Sequence, residues 1–535
     1  MRSSGFPSVN FRLWSFSSSL SNCIQKRTNI SNTVMLKILS LVFALLVLSA
    51  CGSSSDDDGE PGFIKLYNAS PNAPEIYLTL DEDLDEDFDD EVEQTFAGVD
   101  YAQASSDIEV PARDYNLELA WQDEDSSLRT DLEIIYESSL YVPSETIIMY
   151  VLTETFPNPV VTQFTVPVID DENDTDDDIF NLRFLNLHPD FQSIDVYMSK
   201  SDETFNEAQL MGTHNYLNLS DNAKLEEDQY VFYITDAGSS EVLFTSVEVS
   251  YPFSNQYIIA IRENFGADQT PFVIDNIART SNVEYQASNA QAQFRIYNGI
   301  QASSLLPTYQ GQIQVSSTKP LDKDQNTTVL TEALEVGQFT DYFLVENGDY
   351  NFDTQISGSD TFLLQNQLVS LPANTQRSLF YYTDETSVDE DGDGDIDENG
   401  DGIIDATEAI IQTLVVSNSN RSGIYDHEVE IVNLVDSDDF TGVTFYFVKS
   451  DESIETADNR RTVGLATPRN VVLRNNTYEV YAIANIDGRD IILSSELLIL
   501  DEQSPELFLI FEANTDAVSD YSMRFIPQTP QADAD

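Results

Sequence analysis

The sequence predicts an all-β protein made of four tandem immunoglobulin-like β-sandwich repeats of about 110 residues each. Three observations lead to this fold class. Short segments in which apolar and polar residues alternate follow one another, with few helical periods between them. One motif, apolar-x-apolar-apolar-Asn, occurs four times. A second landmark, a tyrosine after a polar residue, follows each copy at a similar distance. About seven such strands in a unit of this length are typical of a β-sandwich.

The first landmark is a strand that ends in asparagine. It reads Ile-Lys-Leu-Tyr-Asn in its first copy, and the four copies end at Asn68, Asn186, Asn298 and Asn433. These asparagines are 118, 112 and 135 residues apart. A second alternating segment follows each copy, at residues 76–80 in the first. Repetition at this spacing indicates duplication of one unit.

The second landmark is a tyrosine that follows a polar residue at the start of a later strand. Tyr115, Tyr230, Tyr350 and Tyr478 lie 47, 44, 52 and 45 residues after the four asparagines. In a sandwich, such a tyrosine is expected to be an inward or corner residue whose hydroxyl bonds back to the main chain. A role in stacking on a ligand is the alternative.

Two paired strands are predicted to close each repeat. The loops that join them cover residues 153–159, 262–271, 383–409 and 512–520, which are 7, 10, 27 and 9 residues long. The third loop is the longest, and its excess length explains the spacing of 135 residues. It is therefore predicted to be an insertion in one hairpin of the third repeat, not a linker between repeats.

This insertion carries the one stretch with site chemistry. Counted from residue 397, a twelve-residue loop has side-chain oxygens at positions 1, 3, 5, 9 and 12, a main-chain carbonyl at position 7 and glycine at position 6. The predicted ligands are Asp397, Asn399, Asp401, Ile403, Asp405 and Glu408. The pattern resembles the calcium loop of the EF-hand, which closes its shell with a long glutamate. Calcium is the expected cofactor, and a solvated acidic linker is the alternative.

A second, incomplete loop overlaps the first. It offers Asp389, Asp391, Asp393 and Asp395, but Gly400 stands where the closing glutamate belongs. This half-site is closer to the aspartate-rich calcium repeats of thrombospondin type 3, and the sequence leaves its occupancy open. The flanks differ from a full EF-hand, because the segment upstream is strand-like. Residues 406–412 are expected to form at most a short helical turn before the strand resumes.

The N-terminal part indicates export. Residues 36–50 form an apolar run too short to span a bilayer, directly before Cys51. Leu-Ser-Ala-Cys resembles the lipobox of bacterial lipoproteins, which implies lipidation at Cys51 and attachment to a membrane through that lipid. The same analogy favours the outer membrane, facing the periplasm or the cell surface. A buried helix followed by a loop cysteine is the alternative.

Charge and missing motifs exclude several function classes. The 94 acidic and 25 basic residues give a formal charge of −69, which repels phosphate backbones, so no nucleic-acid partner is expected. The three histidines lie in different repeats without ligand spacing. The sequence has no phosphate loop, dinucleotide fingerprint or Gly-x-Ser-x-Gly elbow. We therefore predict that the chain is not an enzyme.

The predicted organisation follows from these landmarks. Residues 1–34 are either an over-extended start or a long n-region, 35–50 a lipoprotein signal peptide, and 51–61 a flexible tether. Repeats 1 and 2 are placed at 62–168 and 179–282, with an acidic linker at 169–178. Repeat 3 is placed at 291–420 with the calcium insertion at 387–408, repeat 4 at 426–528, and a tail at 529–535.

Three segments of the first repeat resemble a known family. They are Asn-Ala-Ser-Pro-Asn-Ala-Pro-Glu-Ile-Tyr at 68–77, Phe-Ala-Gly-Val-Asp-Tyr at 96–101 and Val-Pro-Ala-Arg-Asp-Tyr at 110–115. Together they resemble a family of bacterial extracytoplasmic repeats of unknown function, marked by an Ala-Ser-Pro-Asp-Ala-Pro-like turn and a Gly-Asp-Tyr strand entry. Arg113 replaces the usual glycine, and the later repeats match less well. The resemblance implies an envelope lipoprotein and no particular activity.

The function predicted from the sequence is therefore a non-catalytic lipoprotein of the cell envelope, structural or adhesive in role and stabilised locally by calcium. An envelope protein or a glycan is a possible partner. The first alternative is a surface module that binds polysaccharide or protein. The second alternative is an uncharacterised hydrolase.

Overall fold

A computed structural model describes residues 60–82, 92–122, 129–169, 178–320, 326–388 and 406–529. Within these ranges the chain forms eight β-sheets, two in each repeat, and two short 3₁₀ turns at Arg129–Asp131 and Phe205–Glu207. The predicted all-β class with four immunoglobulin-like sandwiches is confirmed. No helix in these ranges is long and apolar enough to cross a membrane.

The strands of the first two repeats are numbered in chain order. Repeat 1 contains β1 (Gly62–Asn68), β2 (Ile76–Asp81), β3 (Glu93–Thr95), β4 (Gln103–Ala104), β5 (Ile108–Val110), β6 (Asp114–Trp121), β7 (Glu133–Tyr141), β8 (Thr146–Thr153) and β9 (Val160–Pro167). Repeat 2 contains β10 (Ile179–Asn186), β11 (Ser193–Lys200), β12 (Gln209–Asn215), β13 (Ala223–Glu226), β14 (Gln229–Asp236), β15 (Val242–Thr245), β16 (Val249–Ser250), β17 (Gln256–Glu263), β18 (Phe272–Ile277) and β19 (Asn282–Tyr285).

The last two repeats have eight strands each in the described ranges. Repeat 3 contains β20 (Gln291–Asn298), β21 (Gln312–Thr318), β22 (Thr327–Glu335), β23 (Phe343–Glu346), β24 (Gly348–Ile356), β25 (Phe362–Leu371), β26 (Gln376–Ser387) and β27 (Thr407–Ser417). Repeat 4 contains β28 (Asp426–Asn433), β29 (Val443–Val448), β30 (Asn459–Val463), β31 (Arg469–Arg474), β32 (Thr477–Ile486), β33 (Arg489–Ile499), β34 (Leu507–Ala513) and β35 (Tyr521–Pro527).

All four repeats share one topology. In repeat 1 the sheet that contains the asparagine strand has the order β4-β1-β8-β9, and the second sheet has the order β3-β2-β6-β7. The equivalent strands follow the same order in the other repeats. The asparagine strand pairs in parallel with the first strand of the closing hairpin, so that Asn68 faces Leu152, Asn186 faces Ile261, Asn298 faces Tyr381 and Asn433 faces Phe511. This common register allows equivalent positions to be compared directly.

In each sheet with an asparagine strand, the two central strands are largely buried on both faces. In β8, seven of eight residues are buried, whereas β6 of the second sheet shows the alternation of a strand with one solvated face. The inner faces form the four sandwich cores. The outer faces pack against the same sheet of the neighbouring repeat. The four sandwiches are therefore joined as two face-packed pairs, repeats 1 with 2 and 3 with 4.

Two details differ from the sequence-based expectations. β19 pairs with β18, so a sheet of repeat 2 continues past residue 282, where the sequence places the end of that repeat. The segment 406–412 forms no helical turn, because Thr407 already pairs with Ser387 in the β26–β27 hairpin. The apolar residues Ile410 and Ile411 favour a strand there, since β-branched side chains pack well on a pleated surface.

Candidate functional site

The predicted calcium stretch lies between two long paired strands. The pairing of β26 with β27 continues to Ser387 opposite Thr407, and Val388 donates its N–H to the carbonyl of Ala406 at 2.9 Å. Glu408, the predicted closing ligand, lies on β27 opposite Thr386 with an exposed side chain. The other predicted ligands of both loops, residues 389–405, lie outside the described residues, as does Cys51. Among the described residues, no group of three or more His, Cys, Asp or Glu side chains could hold a metal ion.

The recurring tyrosines occupy the corner position expected from the sequence. Each is at least nine-tenths buried. Each hydroxyl donates to the carbonyl four residues upstream: Tyr115 to Pro111 at 3.0 Å, Tyr230 to Glu226 at 2.7 Å, Tyr350 to Glu346 at 2.7 Å and Tyr478 to Arg474 at 3.0 Å. Each hydroxyl therefore binds the strand that contains the tyrosine to the turn directly before it, and its role is structural.

The recurring asparagines explain the first landmark. In all four copies the side-chain Oδ1 accepts from the N–H two residues later, at Ser70, His188, Ile300 and Val435, over 3.0–3.2 Å. Nδ2 donates to a main-chain carbonyl of the same repeat, as in the 3.1 Å bond from Asn68 to Val99. An amide side chain supplies a donor and an acceptor on two separate atoms at this buried turn without charge.

The turn that carries the family resemblance is held in the same way. Ser70 Oγ donates to the carbonyl of Glu154 at 2.6 Å. The amide of Asn72 donates to the carbonyl of Phe156 at 3.3 Å and accepts from its N–H at 2.8 Å. The turn is thus bound to the tip of the β8–β9 hairpin. These contacts fix the position of Pro71, which lines the cleft described below.

Sequence reasoning missed the junction between repeats 1 and 2. The hydroxyl of Tyr67, on the outer face of β1, donates to Asp275 at 2.5 Å, and Asp275 is in turn paired with Arg262 at 2.6 Å. All three side chains are buried. Burial raises the pKa of Tyr67 well above its ordinary value, so the hydroxyl remains a donor. The polar groups lie beside an apolar cluster that includes Met149 and Ile258.

The junction between repeats 3 and 4 has the same design. Tyr297 donates to Glu512 at 2.7 Å, and Glu512 is paired with Arg524 at 2.6 Å. Burial raises the pKa of Tyr297 as it does that of Tyr67. The apolar cluster around this junction includes Phe380 and Phe508.

Strand register shows that the two junctions are equivalent with their charges exchanged. Because Asn186 faces Ile261 and Asn433 faces Phe511, the next residues, Arg262 and Glu512, occupy the same position. Asp275 pairs with Ala260 and Arg524 with Ile510, which are also equivalent positions. The acid and the arginine have therefore changed places, while the tyrosine partner is kept. The two junctions therefore use the same positions and the same kinds of side chain, with the charges exchanged.

A buried cation completes each junction. Lys65 lies two residues before Tyr67, and its ammonium group donates to the carbonyls of Ser105 and Ala278 at 2.8 and 3.1 Å and pairs with Asp107 at 3.0 Å. Arg295, equivalent to Lys65, donates to the carbonyl of Pro527 at 2.6 Å. Burial lowers the pKa of Lys65, and it lowers the pKa of Arg295 to about 10. Both cations connect the asparagine strand to the end of the second strand of the closing hairpin in the neighbouring repeat, β18 or β35.

The two pairs meet through the segment that joins repeats 3 and 4. The ring of Tyr425 stacks on Trp121 of repeat 1, with centroids 4.4 Å apart and planes at 4°. Ser422 Oγ donates to the carbonyl of Pro71 at 3.2 Å. On the other side, the amide of Asn374 in repeat 3 donates to Asn264 in repeat 2 at 2.8 Å.

These contacts enclose a cleft of about 620 Å³ where the four repeats meet. Its walls come from residues 71–77 and 100–103 of repeat 1, residues 262–266 and 284 of repeat 2, Asn374 of repeat 3, and residues 420–428, 470 and 472 in and before repeat 4. A second cavity of about 430 Å³ adjoins it and shares Tyr101, Arg262 and Phe265. No sequence motif indicates this cleft, because its walls are assembled from all four repeats.

Two glutamates near the cleft have perturbed pKa values. Glu506 is 2% exposed, and its carboxylate accepts from the N–H of Glu428. Burial, opposed by the charge of Arg421, raises the pKa of Glu506 to about 7. Burial and the neighbouring Glu428 raise the pKa of Glu430 to about 7. Arg421 itself forms an ion pair with Asp426, with 2.6 Å between Nη2 and Oδ1.

The three histidines are buried in the sandwiches and do not approach a common site. His188, His214 and His427 belong to repeats 2, 2 and 4. Two of them therefore share a repeat, which differs from the sequence-based assignment of each histidine to a different repeat. Burial lowers the pKa of His188 and of His214. His427 is hydrogen-bonded through Nε2 to Asn475 at 2.8 Å, and the role of all three is structural packing.

Residues 62–197 match the model of a family described as Domain of unknown function (DUF4397). The match covers repeat 1 and continues through β10 into β11 of repeat 2. It agrees with the resemblance seen in the Ser-Pro turn and the Asp-Tyr strand entry. No curated protein matches the sequence.

Solved structures with weak similarity include pilus proteins. The Bacillus anthracis TIE protein is 9% identical, with 89% of this chain and 78% of that chain covered and a TM-score of 0.15. BcpA, the major pilin subunit of Bacillus cereus, is 8% identical, with 62% and 99% covered and a TM-score of 0.12. The pilus adhesin SpaC from Lactobacillus rhamnosus GG is 8% identical, with 59% and 39% covered and a TM-score of 0.12. Similarity at this level carries no information about function.

Proposed function

We propose that this chain is a non-catalytic lipoprotein of the bacterial cell envelope with a structural or adhesive role. The observation that carries the proposal is the duplicated junction, in which Tyr67 and Tyr297 bind a buried acid–arginine pair of the next repeat. Burying charged groups between domains costs free energy unless each has its partners. A chain that does this twice gains a fixed arrangement of its domains, which suits a scaffold that holds a shape outside the cell.

The apolar part of each junction supports the same role. Between repeats 1 and 2, side chains such as Tyr67, Met149 and Ile258 are removed from water on outer sheet faces. A fully buried side chain of this kind stabilises the folded state by about 1.5–3 kcal/mol. Flexible linkers between independent domains would leave these faces exposed. The pairs therefore act as rigid units.

Calcium is proposed as a local stabiliser. The β26–β27 hairpin pairs Ser387, which lies two residues before the first predicted ligand Asp389, with Thr407, which directly precedes the closing ligand Glu408. A cation held by Asp397, Asn399, Asp401, Ile403, Asp405 and Glu408 would order the tip of this hairpin. An isolated loop of this type outside the cell would have a Kd on the order of 10⁻⁴–10⁻³ M.

The membrane attachment rests on Cys51 and is tested directly. The full chain is expressed in a bacterium that processes lipoproteins and is labelled with a palmitate analogue. The parent protein is expected to carry the label and to fractionate with the outer membrane, whereas Cys51→Ala is expected to lose both properties. An unlabelled parent protein would overturn the envelope-lipoprotein proposal. Turnover by the purified parent in a broad hydrolase screen would overturn the non-catalytic part.

A second candidate function is that of a binding module for polysaccharide or protein. The cleft between the two pairs favours it, because small ligands usually bind in concave sites of this size at domain interfaces.

A further inference from the structure

We propose that the cleft between the two sandwich pairs binds a short neutral oligosaccharide. The proposal rests on the second candidate function, the binding module, and specifies its ligand. The cleft volume of about 620 Å³ is within the range of small-molecule sites, and the adjoining cavity of about 430 Å³ extends it in one direction.

The cleft contains a preorganised aromatic surface. Phe265, at the tip of the β17–β18 hairpin, is 40% exposed and meets the ring of Tyr101 edge-on at 6.1 Å. Tyr101 is held in place by Arg262, which donates to its hydroxyl at 3.1 Å and lies 5.2 Å from its ring centre. Tyr101 and Phe265 line both cavities. Their rings therefore offer a surface on which the apolar C–H face of a sugar ring can pack.

The charges of the cleft argue against an anionic ligand. The two arginines that line it are already paired, Arg262 with Asp275 and Glu284 and Arg421 with Asp426. The remaining charged groups in the lining are carboxylates, such as Asp100. A phosphate or a carboxylate ligand would therefore meet negative charge, with no available cation in the described part of the wall.

The same groups suit a ligand rich in hydroxyls. Carboxylates accept hydrogen bonds from hydroxyl donors, and amide side chains can both donate and accept. Exposed Gln103, Asn420 and Asn470 supply the amides, each from a different segment of the wall. A divalent cation is not indicated, because no metal-binding group of side chains occurs in the described ranges. A peptide would need several apolar pockets, whereas Phe265 is the one large apolar side chain that is exposed among the described lining residues.

The proposal is tested by isothermal titration calorimetry on the purified protein. The probes are neutral hexasaccharides of the cello-, malto-, laminari-, xylo- and manno- series, and a Lys-rich peptide serves as a cationic probe. At least one hexasaccharide is expected to bind saturably. Phe265→Ala is expected to weaken that binding at least tenfold, and Asn420→Ala to weaken it severalfold, without a change in the thermal midpoint.

Phe253→Ala is the matched control, since Phe253 is 72% exposed on the same repeat and does not line the cleft. Its binding is expected to equal that of the parent. Absence of saturable binding to every hexasaccharide, binding that survives Phe265→Ala, or binding of the cationic peptide alone would each overturn the proposal. These results would leave the lipid label and the membrane fractionation unchanged, so a failure here is separate from a failure of the envelope function.

Discussion

The hydroxyl of Tyr67 in the first repeat donates a 2.5 Å hydrogen bond to Asp275 in the second repeat, 208 residues further along the chain. The equivalent bond, from Tyr297 to Glu512, spans 215 residues. In both cases the acceptor is an acid already paired with an arginine. Each tyrosine therefore links the outer sheet face of one sandwich to a buried ion pair of the next.

Removing the Tyr67 hydroxyl should weaken the first pair. Tyr67→Phe keeps the ring in the apolar cluster but removes the donor to one carboxylate oxygen of Asp275. Hydrogen bonds to buried charged groups contribute about 1.5–3 kcal/mol, so we expect a loss of that order in the free energy of unfolding, measured by urea denaturation. Tyr481→Phe is the control, because its hydroxyl binds Glu479 on the surface, and it should change stability by less than about 0.5 kcal/mol. Equal effects of the two substitutions would contradict the buried junction.

The hydroxyl of each corner tyrosine should contribute to the free energy of unfolding as much as an ordinary neutral hydrogen bond. Tyr230→Phe removes the donor to the carbonyl of Glu226 while the ring stays in the core. The expected cost is about 1 kcal/mol, and the same substitution at Tyr350 should cost a similar amount. Thermal denaturation measures both. A variant as stable as the parent would show that the hydroxyl is not needed at the corner.

The raised pKa of Glu506 predicts that the protein becomes less stable as the pH rises. Burial raises it to about 7 from an ordinary value of 4.5. Between these two pH values the folded state binds more protons than the unfolded state, so the free energy of unfolding falls as the pH rises through this window. Glu506→Gln removes this loss, and we expect the variant to be about 3 kcal/mol more stable than the parent at pH 8 and little changed at pH 4.5.

Urea denaturation at the two pH values measures this difference. Glu496→Gln, at an exposed position on β33, is the control and should have the pH profile of the parent. A Glu506→Gln protein whose stability falls between pH 4.5 and 8 as steeply as that of the parent would show that another group causes the pH dependence.

Calcium should stabilise the third repeat only through the loop between β26 and β27. Addition of millimolar calcium is expected to raise the thermal midpoint of the parent, because a ligand that binds only the folded state shifts the unfolding equilibrium. The double variant Asp401→Ala with Glu408→Ala should not respond. A parent protein without a response would show that no calcium binds.

The contact between the pairs should depend on the Trp121–Tyr425 stack. Tyr425→Ala removes the ring that packs on Trp121 and on Phe156 at the surface of repeat 1. We expect faster amide hydrogen exchange in residues 419–425, with unchanged exchange in the sandwich cores. Tyr141→Ala, which removes a ring that is 57% exposed, is the control and should leave these amides as they are. Unchanged exchange in Tyr425→Ala would mean that the stack does not hold the segment.

Much of each sandwich could be predicted from the sequence, because its determinants are local. The strands that end in Asn68 and its copies, the corner tyrosines and the hairpin that carries the long insertion follow from alternation and spacing. The pairing of repeats was not predicted, although β8 contains a sign of it. Its run Thr-Ile-Ile-Met-Tyr-Val-Leu-Thr is apolar on both faces, which indicates a sheet covered on both sides.

The polar parts of the junctions and the cleft could not be found in this way. Lys65 and Asp275 looked like ordinary residues of their strands, and the groups that they bind across the junction, the carbonyl of Ala278 and the hydroxyl of Tyr67, are more than 200 positions away. The cleft takes its walls from four repeats, so no single stretch of sequence contains its pattern. The predicted calcium ligands have the opposite character, since a twelve-residue loop holds all its donors within one local motif.

The central claim is that the four sandwiches are packed as two rigid pairs. Differential scanning calorimetry tests it most directly, on the parent protein and on the Tyr67→Phe and Tyr297→Phe variants. We expect two cooperative transitions, one for each pair, because a repeat cannot unfold without exposing the outer sheet of its neighbour. Tyr67→Phe should lower the midpoint of one transition and Tyr297→Phe that of the other. Four independent transitions, or the same transition lowered by both substitutions, would contradict the account.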